Sequence, residues 1–145
     1  MKNSDPLSEQ QSTKIGQLSS WIVAGFIAIS FLGFLDASYL TVAHYTGSQL
    51  ACTLIKGCDI VTTSKYSLIL GIPVALLGAL YYFSILILSL LYFDTRNSIL
   101  LKIIRPLTVL AFLASVYFVA LQLFVIGAIC QYCMISATTS TILFI

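Results

Sequence analysis

SLILGIPVALLGALYYFSILILSLLYF, residues 67–93, decides what kind of protein this is. The stretch runs for 27 residues without one charged side chain. A helix needs roughly 20 apolar residues to cross the hydrocarbon core of a bilayer, so this segment is long enough to span it. Working outward, three more apolar segments appear: Ser20 to about Tyr45, Leu107 to Val125, and Cys130 to the end. The composition agrees. Hydrophobic residues make up 59% of the chain and charged residues 8%, where a soluble domain carries about 25% charged residues. Seven basic and five acidic side chains cannot cover a water-facing surface for 145 residues, so lipid is the main solvent. The net charge of +2 is spread thinly, and no basic face for nucleic acid is expected.

The expected fold is an all-α membrane protein, a bundle of four transmembrane helices over residues 20–145, preceded by a polar cytoplasmic tail at 1–19. The tail does not read as a cleavable signal, because the apolar stretch after it is too long and lacks a small-residue cleavage site. Trp21 and Tyr45 mark the two ends of the first segment, as interfacial aromatics do. DTRNSILLKIIRP, residues 94–106, reads as a short basic connection. Lys2, Lys14, Arg96, Lys102 and Arg105 fall on one side of the membrane, and Lys56 and Lys65 on the other. Five against two makes the first side cytoplasmic. Both the 46–66 loop and the turn before Cys130 then face outward, in a compartment where disulfides persist. The last segment, 16 residues from Cys130 to Ile145, is short for a crossing and has no polar stop. The chain is therefore expected to be a piece of a longer one.

The four cysteines come in two pairs, Cys52 with Cys58 and Cys130 with Cys133. Cys130-Gln131-Tyr132-Cys133 is a C-x-x-C at a predicted helix start, where the helix terminus favours the thiolate. The spacing of Cys52 and Cys58 allows a disulfide without demanding one, and a simple loop staple fits as well. A four-cysteine zinc site is a further alternative. It is disfavoured by the apolar helix around one pair and the lack of charged supporting side chains, so no metal is expected. The topology brings both pairs to one membrane face, the layout of a relay in which one pair exchanges with the other through a mixed disulfide. Such a relay needs an acceptor. The chain has no dinucleotide fingerprint, and His44 is its only histidine, which leaves haem poorly supported. A lipid-soluble quinone, ubiquinone or menaquinone, needs only an apolar pocket beside a reactive thiol.

Asp36 lies inside the first apolar segment. An intramembrane carboxylate is functional by default and would handle protons during quinone reduction; a protonated, merely buried Asp is the plainer alternative. His44 reads as an interfacial polar residue. Asp59, Thr62, Thr63 and Ser64 read as N-capping material, with Ser64 an alternative hydrogen-bond donor near the thiols. Gly71, Pro73 and Gly78 suggest a kink or a close helix contact. Tyr81, Tyr82, Phe112 and Tyr117 read as packing or lipid-facing side chains.

CDIVTTSKYSLILGIPVALLGALYY, residues 58–82, together with CQYC at 130–133 and the order of the two cysteine pairs, resembles the vitamin K epoxide reductase family over nearly everything from Ser20 onward. The resemblance implies four helices around a quinone, with a loop capping the pocket. It implies Cys133 nearest the quinone, in charge-transfer or covalent contact, Cys130 exchanging with Cys58, and Cys52 meeting a partner protein. Ser64 stands at the family's serine position and would support the catalytic disulfide. Two departures matter. Vertebrate members carry a Tyr four residues after the second C-x-x-C cysteine, where this chain has Ala137, which moves the expectation from the epoxide to a plain quinone. Many bacterial relatives carry a fused thioredoxin-like domain that this sequence lacks.

The expected function is therefore a thiol–disulfide oxidoreductase of the inner (cytoplasmic) membrane. It would oxidise a separate extracytoplasmic thioredoxin-like protein and reduce a membrane quinone, supporting disulfide formation in exported proteins. The alternatives are a vitamin K epoxide or quinone reductase, a membrane transporter whose cysteines bind soft metal ions, and a structural tetraspan protein with two disulfide staples.

Overall fold

The computed structural model describes residues 19–48 and 57–145. Apart from Ser19, the polar tail lies outside the described residues, and so does Cys52. Helix α1 spans Ser20–Thr46 and ends at Gly47, whose φ of 63° is the left-handed conformation that glycine takes at low cost. Its buried positions, Val23, Ser30, Gly33, Ala37, Leu40 and Ala43, fall at helical spacing and are mostly small. Small residues let neighbouring backbones approach where lipid supplies no hydrophobic drive between helices. The other faces carry exposed apolar side chains such as Phe31, Leu32 and Val42, as expected of a surface solvated by hydrocarbon.

Helix α2 is a single short element, Cys58–Thr63, followed by a 3₁₀ turn at Lys65–Ser67. Strands β1 (Leu68–Ile69) and β2 (Ile72–Pro73) form a small antiparallel hairpin, with Leu70 and Gly71 both at positive φ in its turn. Helix α3 runs from Val74 to Thr95. The apolar run that begins at Ser67 is thus not all helix. Gly71 permits the reversal, and Pro73, which has no N–H to give, stands directly before the helix.

Helix α4, Ser98–Ala120, starts much earlier than the sequence suggests. The connection from α3 is only Arg96 and Asn97. Asn97 caps α4 by accepting the Ile99 N–H at 3.0 Å. Lys102 and Arg105 belong to the first turns of α4, where long basic side chains can reach toward the interface, and Pro106 is accommodated inside the helix. The chain continues as a π-helical turn, Leu121–Ile126, and stops at Gly127 with φ of 66°. Helix α5 covers Gln131–Phe144.

The main contacts run around a ring, α1 to α3, α3 to α4, α4 to α5 and α5 back to α1. Three stretches, Ser20–Thr46, Val74–Thr95 and Ser98–Ile126, are long and apolar enough to cross a membrane. The protein is an all-α membrane protein. Three side-chain links lock the ring. Gly33 leaves room for the Tyr82 ring, since a Cβ there would sit 2.5 Å from it. The Tyr82 hydroxyl then donates to the Ser136 carbonyl at 2.7 Å and lies 2.7 Å from the Thr139 hydroxyl, tying α3 to α5. Ser115 and Ser140 pair at 2.6 Å between α4 and α5. Phe112 stacks on Phe144 with centroids 4.6 Å apart.

Candidate functional site

The site forms where α2 meets the head of α5. Cys58 opens α2 and is 1% exposed; Cys130 precedes α5 and is 0% exposed. Both belong to one buried cluster with Leu40, Ala43 and Val61, and Tyr132 and Cys133 pack against it. Local sequence explains the meeting. Gly57 offers no side chain, so its backbone comes against Ile129, the residue before Cys130. Cys58 is disulfide-bonded, whereas Cys130 and Cys133 carry free thiols, so neither of them is its partner.

Cys130 occupies the N-cap of α5 with extended backbone, and its Sγ accepts the Cys133 N–H at 3.4 Å. A sulfur at this position faces the unpaired N–H groups of a 14-residue helix, which favours a thiolate. The Cys130 N–H is itself held, donating to the Gln122 Oε1 at 3.0 Å.

Cys133, one turn into α5, lines a cavity of about 530 Å³. Its walls come from every helix: Ala37 and Leu40 of α1, Val61 of α2, Gly78 and Tyr82 of α3, Ala114 of α4, Cys133 and Ala137 of α5. Ser64 lines it too, with its hydroxyl donating to the Val61 carbonyl at 2.7 Å and not to a sulfur. Gly78 lies at ordinary contact from Ala37 and leaves room on the cavity side, and His44 is also on the wall.

Asp36 does not line the cavity, although its neighbour Ala37 does. Its Oδ2 is enclosed and has no hydrogen-bond partner among the described residues. The structure thus gathers Cys58, Cys130, Cys133 and Ser64 around one centre and leaves Asp36 beside it. The expected capping role of Thr62 and Thr63 is not found. Both lie inside α2 and turn their hydroxyls back onto the carbonyls of Cys58 and Asp59, four residues earlier. Tyr82 is a buried anchor, and Tyr81 lines the cavity beside it. Gln122 is a further residue of this site that the cysteine spacing does not single out. The signal was a lone amide in the apolar run LQLFVIG, eight residues before Cys130.

A polytopic membrane protein with a paired-thiol centre set against an apolar cavity belongs to the class of membrane redox enzymes. The model of the vitamin K epoxide reductase family matches residues 24–145, and the chain belongs to that family. Its members are oxidoreductases associated with quinones.

Proposed function

We propose that this protein oxidises a thioredoxin-like protein outside the cytoplasm and delivers the electrons to ubiquinone or menaquinone, so that exported proteins acquire disulfides. The observation that carries this is the shared burial of Cys58 and Cys130 with Cys133 on the cavity wall. A loop disulfide beside a reduced C-x-x-C corresponds to one stage of a relay, with the inner pair ready to give up its electrons.

In the proposed cycle Cys52 and Cys58 form the loop disulfide. A partner thiolate attacks Cys52, and the partner leaves as a disulfide while the loop becomes a dithiol. The Cys58 thiolate then attacks Cys130 of an oxidised Cys130–Cys133 pair, forming a Cys58–Cys130 mixed disulfide and releasing the Cys133 thiolate; the Cys52 thiolate attacks Cys58 in turn, which restores the loop disulfide and releases Cys130 reduced. Quinone, when bound, accepts two electrons and two protons. Cys133 faces the cavity, Cys130 re-closes onto it as a disulfide, and Asp36, with its unpartnered oxygen, stands beside the pair to pass a proton. An apolar cavity of about 530 Å³ suits a quinone ring with part of its tail, with Val61, Thr62 and Ser64 of the described part of the loop on its wall and four crossings around it. Ala137 gives the wall a methyl group where the epoxide-reducing relatives have a phenol, which supports the quinone.

Five basic residues against two, and the oxidising chemistry of the loop, favour an inner (cytoplasmic) membrane with the cysteine face outside. The test is the redox state of the cysteines in quinone-depleted membranes supplied with reduced partner. All four thiols should become alkylatable, and adding quinone should protect them again. Cysteines that stay oxidised without quinone, or a Cys133→Ala variant that still oxidises the partner, would end this reading.

A further inference from the structure

One side chain joins the thiol pair to the cavity. Gln122 is 3% exposed, stands in the π-helical turn and lines the cavity that Cys133 also lines. Its Oε1 accepts the Cys130 N–H. That bond fixes which way the amide points, because a backbone N–H can only be met by the oxygen. Nε2, with its two N–H groups, therefore faces away from Cys130. It has no hydrogen-bond partner among the described residues, and it is not one of the fully enclosed unpartnered atoms. The cavity is the space left for it.

Several other donors of the wall are already committed, although His44 and Tyr66 line it as well. Thr62, Ser64, Ser67 and Ser84 each donate to a backbone carbonyl within their own segment, and Tyr82 donates to Ser136. The Tyr81 hydroxyl is unpartnered but sealed from the cavity. A buried N–H facing an apolar wall is costly until an acceptor arrives. An oxygen acceptor on an otherwise apolar molecule matches both the amide and the wall around it.

We propose that Gln122 donates a hydrogen bond from Nε2 to a ring carbonyl oxygen of the bound quinone, orienting the ring beside Cys133. This deepens the quinone reading and rests on it. The cavity then selects for a ring that carries a carbonyl, and it does so from the same amide that holds the backbone of Cys130.

The test compares menadione with 2-methylnaphthalene, the same ring system without carbonyls, as ligands of the full chain in detergent and of its Gln122→Met variant. The wild type should bind menadione more tightly. In Q122M that preference should fall about tenfold, the worth of one good buried hydrogen bond. A merely structural role at Cys130 would weaken both ligands alike and overturn the proposal, as would an unchanged preference. If the wild type binds neither ligand, the quinone reading itself fails. Should Q122M not fold, the wild type decides alone: the carbonyl stretch of bound menadione must move to lower frequency, and an unshifted stretch overturns the proposal.

Discussion

Gly57 and Ile129 meet backbone to backbone, so closely that a Cβ on residue 57 would come within 2.5 Å of the Ile129 carbonyl oxygen and 3.0 Å of its nitrogen. Each residue directly precedes a cysteine of the centre. The contact is therefore what seats Cys58 against Cys130, two residues 72 positions apart in the chain.

Gly57→Ala should disturb that seat first. The new methyl group meets backbone, which cannot swing aside as a side chain can, so the loop must lift at a cost of about 1–3 kcal/mol. Exchange between the loop cysteines and the C-x-x-C should slow in a quenched-flow alkylation assay. An unaltered rate would show that this contact does not govern their approach.

Gly33→Ala drives a methyl group into the Tyr82 ring at 2.5 Å. The expected loss is again about 1–3 kcal/mol, read as a lowered unfolding midpoint in detergent. Substitution at Gly25, which has nothing within 4 Å, should leave the midpoint nearly unmoved and serves as the control.

Tyr82→Phe removes the donor to Ser136 and the partner of Thr139. Each bond is worth about 1 kcal/mol net. A double-mutant cycle with Thr139→Val should return a coupling of about 0.5–1.5 kcal/mol. A coupling near zero would mean that the α3–α5 link contributes only through ring packing.

Leu70 holds a φ of 53° at the tip of the hairpin and is 98% exposed. A side chain in this conformation costs roughly 1–2 kcal/mol, so Leu70→Gly should raise stability by about 1 kcal/mol. A fall in stability in a lipid bilayer, but not in detergent, would show that the leucine itself makes contacts worth more than the strain.

Single cysteines placed at Ser48 and Asn97, in a background without the native four, test the topology. The two sites lie beyond opposite ends of α1 and α3. A membrane-impermeant maleimide should reach position 48 from outside intact cells and position 97 only after lysis. Labelling of both from one side would remove the orientation argued from the basic residues.

The membrane class and the convergence of Cys58 with Cys130 were legible because both rest on coarse physics: apolar length, charge asymmetry and the sidedness of a chain that crosses repeatedly. The hairpin at Leu68–Pro73 was not legible, since Leu and Ile serve a strand, a helix or a lipid face equally well and only Gly71 and Pro73 hinted at the break. The early start of α4 was hidden by Lys102 and Arg105, which read as loop residues until their reach along a helix is considered. Gln122 obeyed the same rule that singled out Asp36, a polar group where lipid is the solvent, yet its partner is a backbone N–H that no spacing announces. Pairing at Cys52 lies outside the described residues.

The position of the centre along α1 sets its depth. Ala43 and Leu40, which pack with Cys58 and Cys130, lie three and six residues before the end of α1 at Thr46. At about 1.5 Å per residue this is roughly 5–9 Å down the helix. Asp36, ten residues from that end, sits about 15 Å down by the same measure. The buried sulfurs thus cluster within two turns of the end of α1, and the carboxylate lies one to two turns further along the helix, so a proton that it takes up is carried away from that end.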